Sequence, residues 1–321
     1  MDKPLLKIDN LKVHFPIKKG FFGTTGEVVH AVDGVSFELK KGEILGIVGE
    51  SGCGKTTVGM AAMYLTPPTE GHVFWEGEDI GKMRPSRLRA LRQKMQLIFQ
   101  DPYSSLNPRM TVRQILSDPM DIHKVFTGKD RKERLEFLLT TVGLSPNAAD
   151  RYPHEFSGGQ RQRIGIARAL ALNPTLIIGD EPVSALDVSI QAQIINLLIR
   201  LKQTFDLSMI IISHDLAVVE YICDRIIVMY LGKIVESAGF SSLYSTPRHP
   251  YTQTLLSAIP VPDPEKKTKR IILKGDVPSP IDPPSGCRFH TRCPQKMVLC
   301  ETQEPEMKQF GSGHSAACHL Y

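Results

Sequence analysis

The chain has 321 residues, of which 41% are apolar and 23% charged, with a formal net charge of +5. That length buries a full core with room for an appendage, which excludes a mini-protein or a disordered tail, and so mild a charge does not by itself argue for nucleic acid. No apolar run of about eighteen residues occurs and MDKPLLKIDN has no signal-peptide pattern, so a cytosolic chain is expected rather than a secreted or spanning one.

LLKIDNLKVHF and EVVHAVDGVSFELKKGEILGIVG read as β-rich segments, the second running into a glycine-rich loop. Residues 86–94 read as a basic helix, and 111–142 as helices broken near Gly128 with a second charged patch at 129–134. Solvated helix faces account for both patches. QRQRIGIARALAL is a helix ahead of the apolar strand TLIIGDE, and a helix from Val188 to Phe205 precedes the strand MIIISH. Strands alternating with helices predict an α/β core with a mostly parallel sheet. RIIVMYLGKIVE predicts a hairpin. Beyond it Pro247, Pro250, Pro260, Pro262, Pro264, Pro278, Pro280, Pro283 and Pro284 crowd a segment that can hold no long helix, which marks a boundary near 240–260 before a cysteine-bearing tail. No internal repeat is visible, so each motif occurs once.

GESGCGKTT fits G-x-x-x-x-G-K-[ST], with the strand EILGIV before it and the helix TTVGMAAMYL after it. From Gly49 through Glu50, Ser51, Gly52, Cys53, Gly54, Lys55, Thr56 and Thr57, this loop would cradle the phosphates of a nucleotide on backbone N–H groups at a helix N-terminus. Lys55 would reach the β- and γ-phosphates, and the Thr56 hydroxyl would hold Mg²⁺. Cys53 lies near that helix start, so a lowered thiol pKa is expected, with alkylation blocking nucleotide binding, and an inert small residue tolerated in the loop is the alternative. LIIGDE is an apolar strand ending in two carboxylates whose side chains point in different directions. Asp180 would hold the magnesium, and Glu181 would act as general base on the attacking water. FSGGQRQR puts Ser157, Gly158, Gly159 and Gln160 at a second helix start, an anion site that a chain already equipped with a phosphate loop does not need for itself.

On these motifs the chain resembles ATP-binding cassette (ABC) ATPases, the family in which SGGQ is the signature, over about residues 5–240. The resemblance implies an α/β P-loop NTPase fold with an N-terminal antiparallel β subdomain and a helical subdomain at about 100–165. The cassette would occupy residues 1–245, and a small irregular Cys-rich extension residues 246–321. Phe15 falls where the family stacks a ring on adenine, although residues 17–27 are inserted after it. Gln100, in FQDPYSSLNP, would sense the Mg²⁺ held by Thr56 and Asp180, and its loop would contact a membrane subunit. Asp187, in SALD, would lie at the dimer interface, and His214 would touch the γ-phosphate. In this family the signature of one subunit closes over ATP held by another, so a second cassette, identical or different, is implied.

YPHEFSGGQRQRI and HPYTQTLLSAIP narrow the resemblance to ATPases of bacterial dipeptide and oligopeptide importers. These sit on the cytoplasmic face of the membrane beneath two membrane-spanning permease subunits, with an extracytoplasmic solute-binding protein and no nucleic acid. An importer of nickel or another small solute, or a soluble ABC ATPase acting on nucleic acid or ribosomes, is the alternative. Cys287, Cys293, Cys300 and Cys318 are separated by five, six and seventeen residues and contain no C-x₂₋₄-C pair. Disulfides are disfavoured in the cytosol. The resemblance implies a [4Fe–4S] cluster, while zinc, with His290, His314 or His319 joining, and free thiols are the alternatives.

Overall fold

The computed structural model describes residues 3–19, 23–101, 103–259, 270–311 and 313–321. In chain order the first half forms β1 (Leu6–Lys19), β2 (Gly23–Leu39), β3 (Ile44–Val48), α1 (Lys55–Ala62), β4 (Glu70–Trp75), β5 (Glu78–Asp79), α2 (Pro85–Lys94), β6 (Met95–Ile98), α3 (Val112–His123) and α4 (Gly128–Thr141). The second half forms α5 (Gly158–Leu170), β7 (Leu176–Asp180), α6 (Val188–Phe205), β8 (Ser208–Ser213), α7 (Leu216–Glu220), β9 (Arg225–Tyr230), β10 (Lys233–Gly239), α8 (Phe240–Ser245) and α9 (Pro250–Ser257). The tail adds α10 (Leu299–Thr302), β11 (Met307–Gln309) and β12 (Ser315–Ala317). These elements fall into two compact units: Met1–Lys40, Ile44–Gly81 and Ser213–Tyr321 make the first, and Lys41–Glu43 and Lys82–Ile212 the second.

In the first unit β2, β1, β4 and β5 form an antiparallel sheet in that order. β1 and β2 stay paired from Leu6 and Leu39 out to Lys19 and Gly23, so the described residues of the stretch inserted after Phe15 lengthen these strands. A second row runs β11, β12, β10, β9, β3, with β3 parallel to β9 and the other pairs antiparallel. β3 is buried at every position, as ILGIV lacks the alternation of a half-exposed strand. The proline-rich tail therefore continues the cassette's own sheet: Glu236 of β10 pairs with Ala316 of β12. The same Glu236 is fully buried, and its carboxylate accepts from the N–H groups of Arg248 (2.7 Å) and His249 (2.8 Å) and pairs with His314 Nε2 at 2.7 Å. A buried carboxylate is tolerable only when satisfied in this way, so these bonds fix the tail to β10. Among the described residues, only α8 and α9, both short, form between about 240 and 284; Pro260, Pro262 and Pro264 lie outside the described residues.

In the second unit β6, β7 and β8 are parallel, from the pairing of Met95 with Leu176 to that of Asp180 with Ile212. α3 begins on a capping box, Thr111 with Gln114, which is why the helix starts where it does. Ile115, Leu116 and Met120 of α3, Leu135, Leu138 and Leu139 of α4, and Ile164 and Ile166 of α5 are buried at helical spacing. The charged patch at 129–134 is not all solvated face. Arg134 is half-buried and donates to the Leu170 carbonyl at 2.7 Å, which ties α4 to the end of α5. Among the described residues no helix is long and apolar enough to cross a membrane.

Candidate functional site

The phosphate loop belongs to the first unit, where β3 delivers the chain to Gly49 and α1 leaves it at Lys55. Gly54 is the residue before α1, at φ 100°, with no side-chain cap. A Cβ there would stand 2.1 Å from the Ala31 carbonyl oxygen, and one on Gly49 would stand 2.2 Å from that of Met229, so both positions require glycine. The Cys53 carbonyl accepts from Gly232 N–H at 3.0 Å, which seats the loop on the β9–β10 turn. Lys55 is buried, and its ammonium donates to the carbonyls of Gly49 (2.8 Å) and Glu50 (2.9 Å). Ser51, Gly52 and Thr56 are exposed along the open side, and Thr57 is half-buried. Cys53 departs from expectation. It is 2% exposed, and burial pushes its thiol pKa up, outweighing the opposing pull of Lys55. The helix start therefore does not make it a reactive thiolate, and selective alkylation is not expected.

Also in the first unit, His214 follows β8 and is exposed, and Phe15 projects from β1 with 43% of its surface open. Next to Phe15, one ring nitrogen each of His14 and His30 and a carboxylate oxygen of Asp33 lie within 4.8 Å of one another. This triad resembles a metal site, but its cation is already supplied: Arg288 donates to Asp33 Oδ2, and His14 Nε2 lies 3.1 Å from Oδ1. Burial would raise the Asp33 pKa, yet Arg288, Lys233 and His14 outweigh it and hold the carboxyl below its ordinary range. Burial and then the neighbouring His14 lower the pKa of His30, against the opposing pull of Asp33.

The second unit carries the other expected residues. Asp180 closes β7 and is buried. Glu181, next in sequence, sits at φ 47°, a left-handed conformation rarely adopted by a glutamate and held here by its N–H bond to the Ile212 carbonyl at 2.9 Å. Gln100 Nε2 donates to Glu181 Oε2 at 2.8 Å, so two residues singled out from separate motifs meet directly. Ser157 and Gln160 close a capping box at the start of α5: Ser157 Oγ accepts from Gln160 N–H at 3.4 Å, and Gln160 Oε1 accepts from Ser157 N–H at 3.0 Å. Gly158 is half-buried. Gly159 is fixed by packing, because a Cβ there would meet Ile190 Cγ2 of α6 at 2.5 Å. Asp187 is exposed at the start of α6, its carbonyl accepting from Ile190 and Gln191.

Sequence reasoning missed Gln162. It is buried and its Nε2 donates to the Pro182 carbonyl at 2.7 Å, so the signature helix supports the turn that follows Glu181. A polar residue on the buried stripe it shares with Gly159, Ile166 and Ala169 was the available signal.

In the tail, Cys287 and Cys300 are joined through their backbones by Cys287 N–H to Cys300 C=O at 2.9 Å. Burial raises the Cys287 thiol pKa to about 11, with the Phe289 N–H opposing and the thiols of Cys300, Cys318 and Cys293 adding to the rise. Burial likewise raises Cys293 and Cys318, opposed by the N–H groups of Gln295 and Leu320. No three of these thiols bring their sulfurs within 4.8 Å of one another.

Known proteins share this arrangement. The ABC transporter family matches residues 32–184, and the family described as "Oligopeptide/dipeptide transporter, C-terminal region" matches residues 235–300. The oligopeptide transport ATP-binding protein AppF of Bacillus subtilis is 55% identical over 320 residues, covering 99% of this chain and 97% of its own. Among solved structures, the dimeric cassette MJ0796 in a post-hydrolysis state with ADP and Pi is 30% identical, with a TM-score of 0.64, over 73% of this chain and 98% of that one. The cbiO1 subunit of the Clostridium perfringens cbiONQ transporter complex is 25% identical with a TM-score of 0.65, over 76% of this chain and 92% of that one. Near-complete coverage at 55% identity leaves no room for a partial likeness: this chain belongs to the ATP-binding cassette ATPases of ABC transporters.

Proposed function

We propose that the chain is the ATP-hydrolysing subunit of a peptide importer, working as a pair with a second cassette beneath two permease subunits that receive peptide from an extracytoplasmic binding protein. The observation that carries this reading is the tail. The family described as oligopeptide/dipeptide transporter C-terminal region matches residues 235–300, beyond the cassette match, and a relative 55% identical over nearly the whole chain is named for oligopeptide transport. Residues 1–245 would form the cassette, residues 246–321 the extension, and about 100–165 the helical part. The protein would sit peripherally on the cytoplasmic face of the membrane.

Within the cassette, Gly49 to Thr57 would hold the ATP phosphates, Thr56 and Asp180 the Mg²⁺ with Gln100 sensing it, and Phe15 the adenine. Mg²⁺ neutralises charge on the transferred phosphoryl group. Glu181 would orient and deprotonate the attacking water, its carboxylate aimed by Gln100 and its backbone by Ile212. His214 would meet the γ-phosphate. Ser157 to Gln160 would act on ATP held by the partner, and Asp187 would lie at that interface. In the Gln100 loop Tyr103 is 60% exposed, its ring under Arg161 at 4.1 Å, which suits a docking surface for the permease. Purification from membranes would test the assignment. Recovery with two polytopic subunits and a second cassette is expected, and recovery with ribosomes or DNA instead would overturn it.

The four thiols would hold an iron–sulfur cluster. Backbone N–H groups near Cys287, Cys293 and Cys318 would favour their thiolates. Such a group supplies crosslinks to a segment with little apolar core. Anaerobic purification should give about four irons and four sulfides per chain, lost in Cys293→Ser; zinc alone would replace the cluster by a single ion.

A further inference from the structure

Glu50 occupies the first variable position of the phosphate loop, where the motif itself asks for no carboxylate. It is nonetheless held through every polar group it has. Its N–H donates to the Tyr251 hydroxyl at 2.8 Å, and its carbonyl accepts from Lys55 Nζ at 2.9 Å and from Cys53 N–H at 3.3 Å. Its carboxylate takes a two-pronged bond from Arg292, Nη1 to Oε2 at 2.6 Å and Nη2 to Oε1 at 3.2 Å. The pair is sheltered, with the Arg292 side chain 9% and the Glu50 side chain 29% exposed. Sheltered fork-on-carboxylate pairs are the strong and orienting kind.

Both clamping residues come from the C-terminal segment, and neither is loosely placed. Tyr251 is fully buried, its ring 4.8 Å from Tyr230 and 5.3 Å from Phe289. Phe289 lies on the short run between Cys287 and Cys293, which also carries Arg292 and Arg288. Arg288 Nη1 donates to the Leu231 carbonyl, in the β9–β10 turn on which the phosphate loop is seated. One loop of the tail therefore grips both the phosphate loop and its support.

A glycine-rich loop loses much conformational freedom when it orders around an anion, and holding it beforehand removes that loss from binding. Lys55 cannot be the permanent anchor, because its role requires it to turn from the Gly49 and Glu50 carbonyls to the phosphates. We propose that Arg292 and Tyr251 are positioning residues for the phosphate loop: the C-terminal segment clamps Glu50 and keeps the loop in its anion-ready form. The inference rests on the reading of Gly49 to Thr57 as the ATP site and is independent of what the thiols hold.

The test is ATP affinity of the full-length chain, by displacement of a fluorescent ATP analogue with Mg²⁺, alongside thermal melts. Arg292→Ala should weaken ATP binding about tenfold, equivalent to about 1.4 kcal/mol. Arg292→Lys should fall between it and the parent, and Tyr251→Phe, which keeps the buried ring, should weaken binding about threefold. Because the pair acts as one, Glu50→Ala combined with Arg292→Ala should bind no more weakly than either alone. Affinities within twofold of the parent, whatever happens to the melting temperature, would overturn the clamp and leave these contacts purely structural. If Arg292→Ala does not fold, Arg292→Lys and Tyr251→Phe decide on the same criterion. Lys55→Ala run in parallel separates the two readings: loss of binding there with unchanged Arg292 and Tyr251 variants overturns the clamp alone, and intact binding in Lys55→Ala overturns the ATP-site reading beneath it.

Discussion

The helix behind the phosphate loop follows a glycine and the helix behind SGGQ follows a serine: α1 has no side-chain cap at Gly54, while Ser157 and Gln160 close a capping box at α5. An uncapped helix start keeps its dipole and N–H groups for a ligand, whereas a boxed one is satisfied by its own chain. The first suits a loop that takes nucleotide unaided. The second suits a surface that meets phosphate only when another subunit brings it. The supports differ as well: the tail braces the first through Glu50, and α6 and the turn after Glu181 brace the second through Gly159 and Gln162.

The sharpest way to separate holding from chemistry is Glu181→Gln. The phosphate loop keeps every contact it has, so ATP binding should be unchanged, while turnover should fall by about 10²–10⁴-fold, the scale of a lost general base. Steady-state ATPase assays with parallel binding measurements check this, and normal turnover would remove Glu181 from the role. Gly54→Ala should come next in size. It places a Cβ 2.1 Å from the Ala31 carbonyl at φ 100°, so the loop must shift, and ATP affinity should drop more than about tenfold while stability falls by about 1–3 kcal/mol. Undiminished affinity would mean that the loop has slack that this packing does not indicate.

A third test uses pH to loosen one brace and not the other. His249 is buried and neutral, its pKa lowered to about 3 by burial, and its Nδ1 accepts from Tyr251 N–H at 3.1 Å to start α9. Because the folded pKa lies below the unfolded value of 6.5, this group's contribution is complete above pH 6.5 and is lost as pH falls toward 3. At pH 5 the loss should be about 2 kcal/mol. Denaturant melts at pH 7 and pH 5 measure it, and His249→Asn, which keeps a capping acceptor, should flatten the difference. An unchanged slope in that variant would show that other groups carry the acid sensitivity.

Much of this was legible because the signals are local. Val188–Phe205 is a helix at the expected bounds, and the strand ending at Asp180 announces itself as an apolar run before two carboxylates. Those signals need only neighbours in sequence. Cys53 was misread because its protonation depends on how deeply a loop is seated, and a helix start alone does not encode depth. Arg292 was overlooked because its partner is 242 positions away, and no periodicity connects them. Gln162 lay in plain view within the signature helix, but only the fold shows that Pro182 waits at its amide.

The smallest expected effect is also the most specific to the comparison. Ser157→Ala removes the hydroxyl that caps α5, and lost caps of this kind cost about 1 kcal/mol, so a modest drop in melting temperature should follow. The isolated chain should still bind ATP within about twofold of the parent, because its phosphate loop, Glu50 clamp and Lys55 are untouched. Turnover by the assembled pair of cassettes should fall further than stability explains, since the same hydroxyl would be withdrawn from the partner's nucleotide. If Ser157→Ala instead weakened ATP binding by the isolated chain as much as Gly54→Ala does, the two helix starts would serve one nucleotide in one chain. The box at α5 would then be part of that chain's own site rather than a surface held closed for a second subunit.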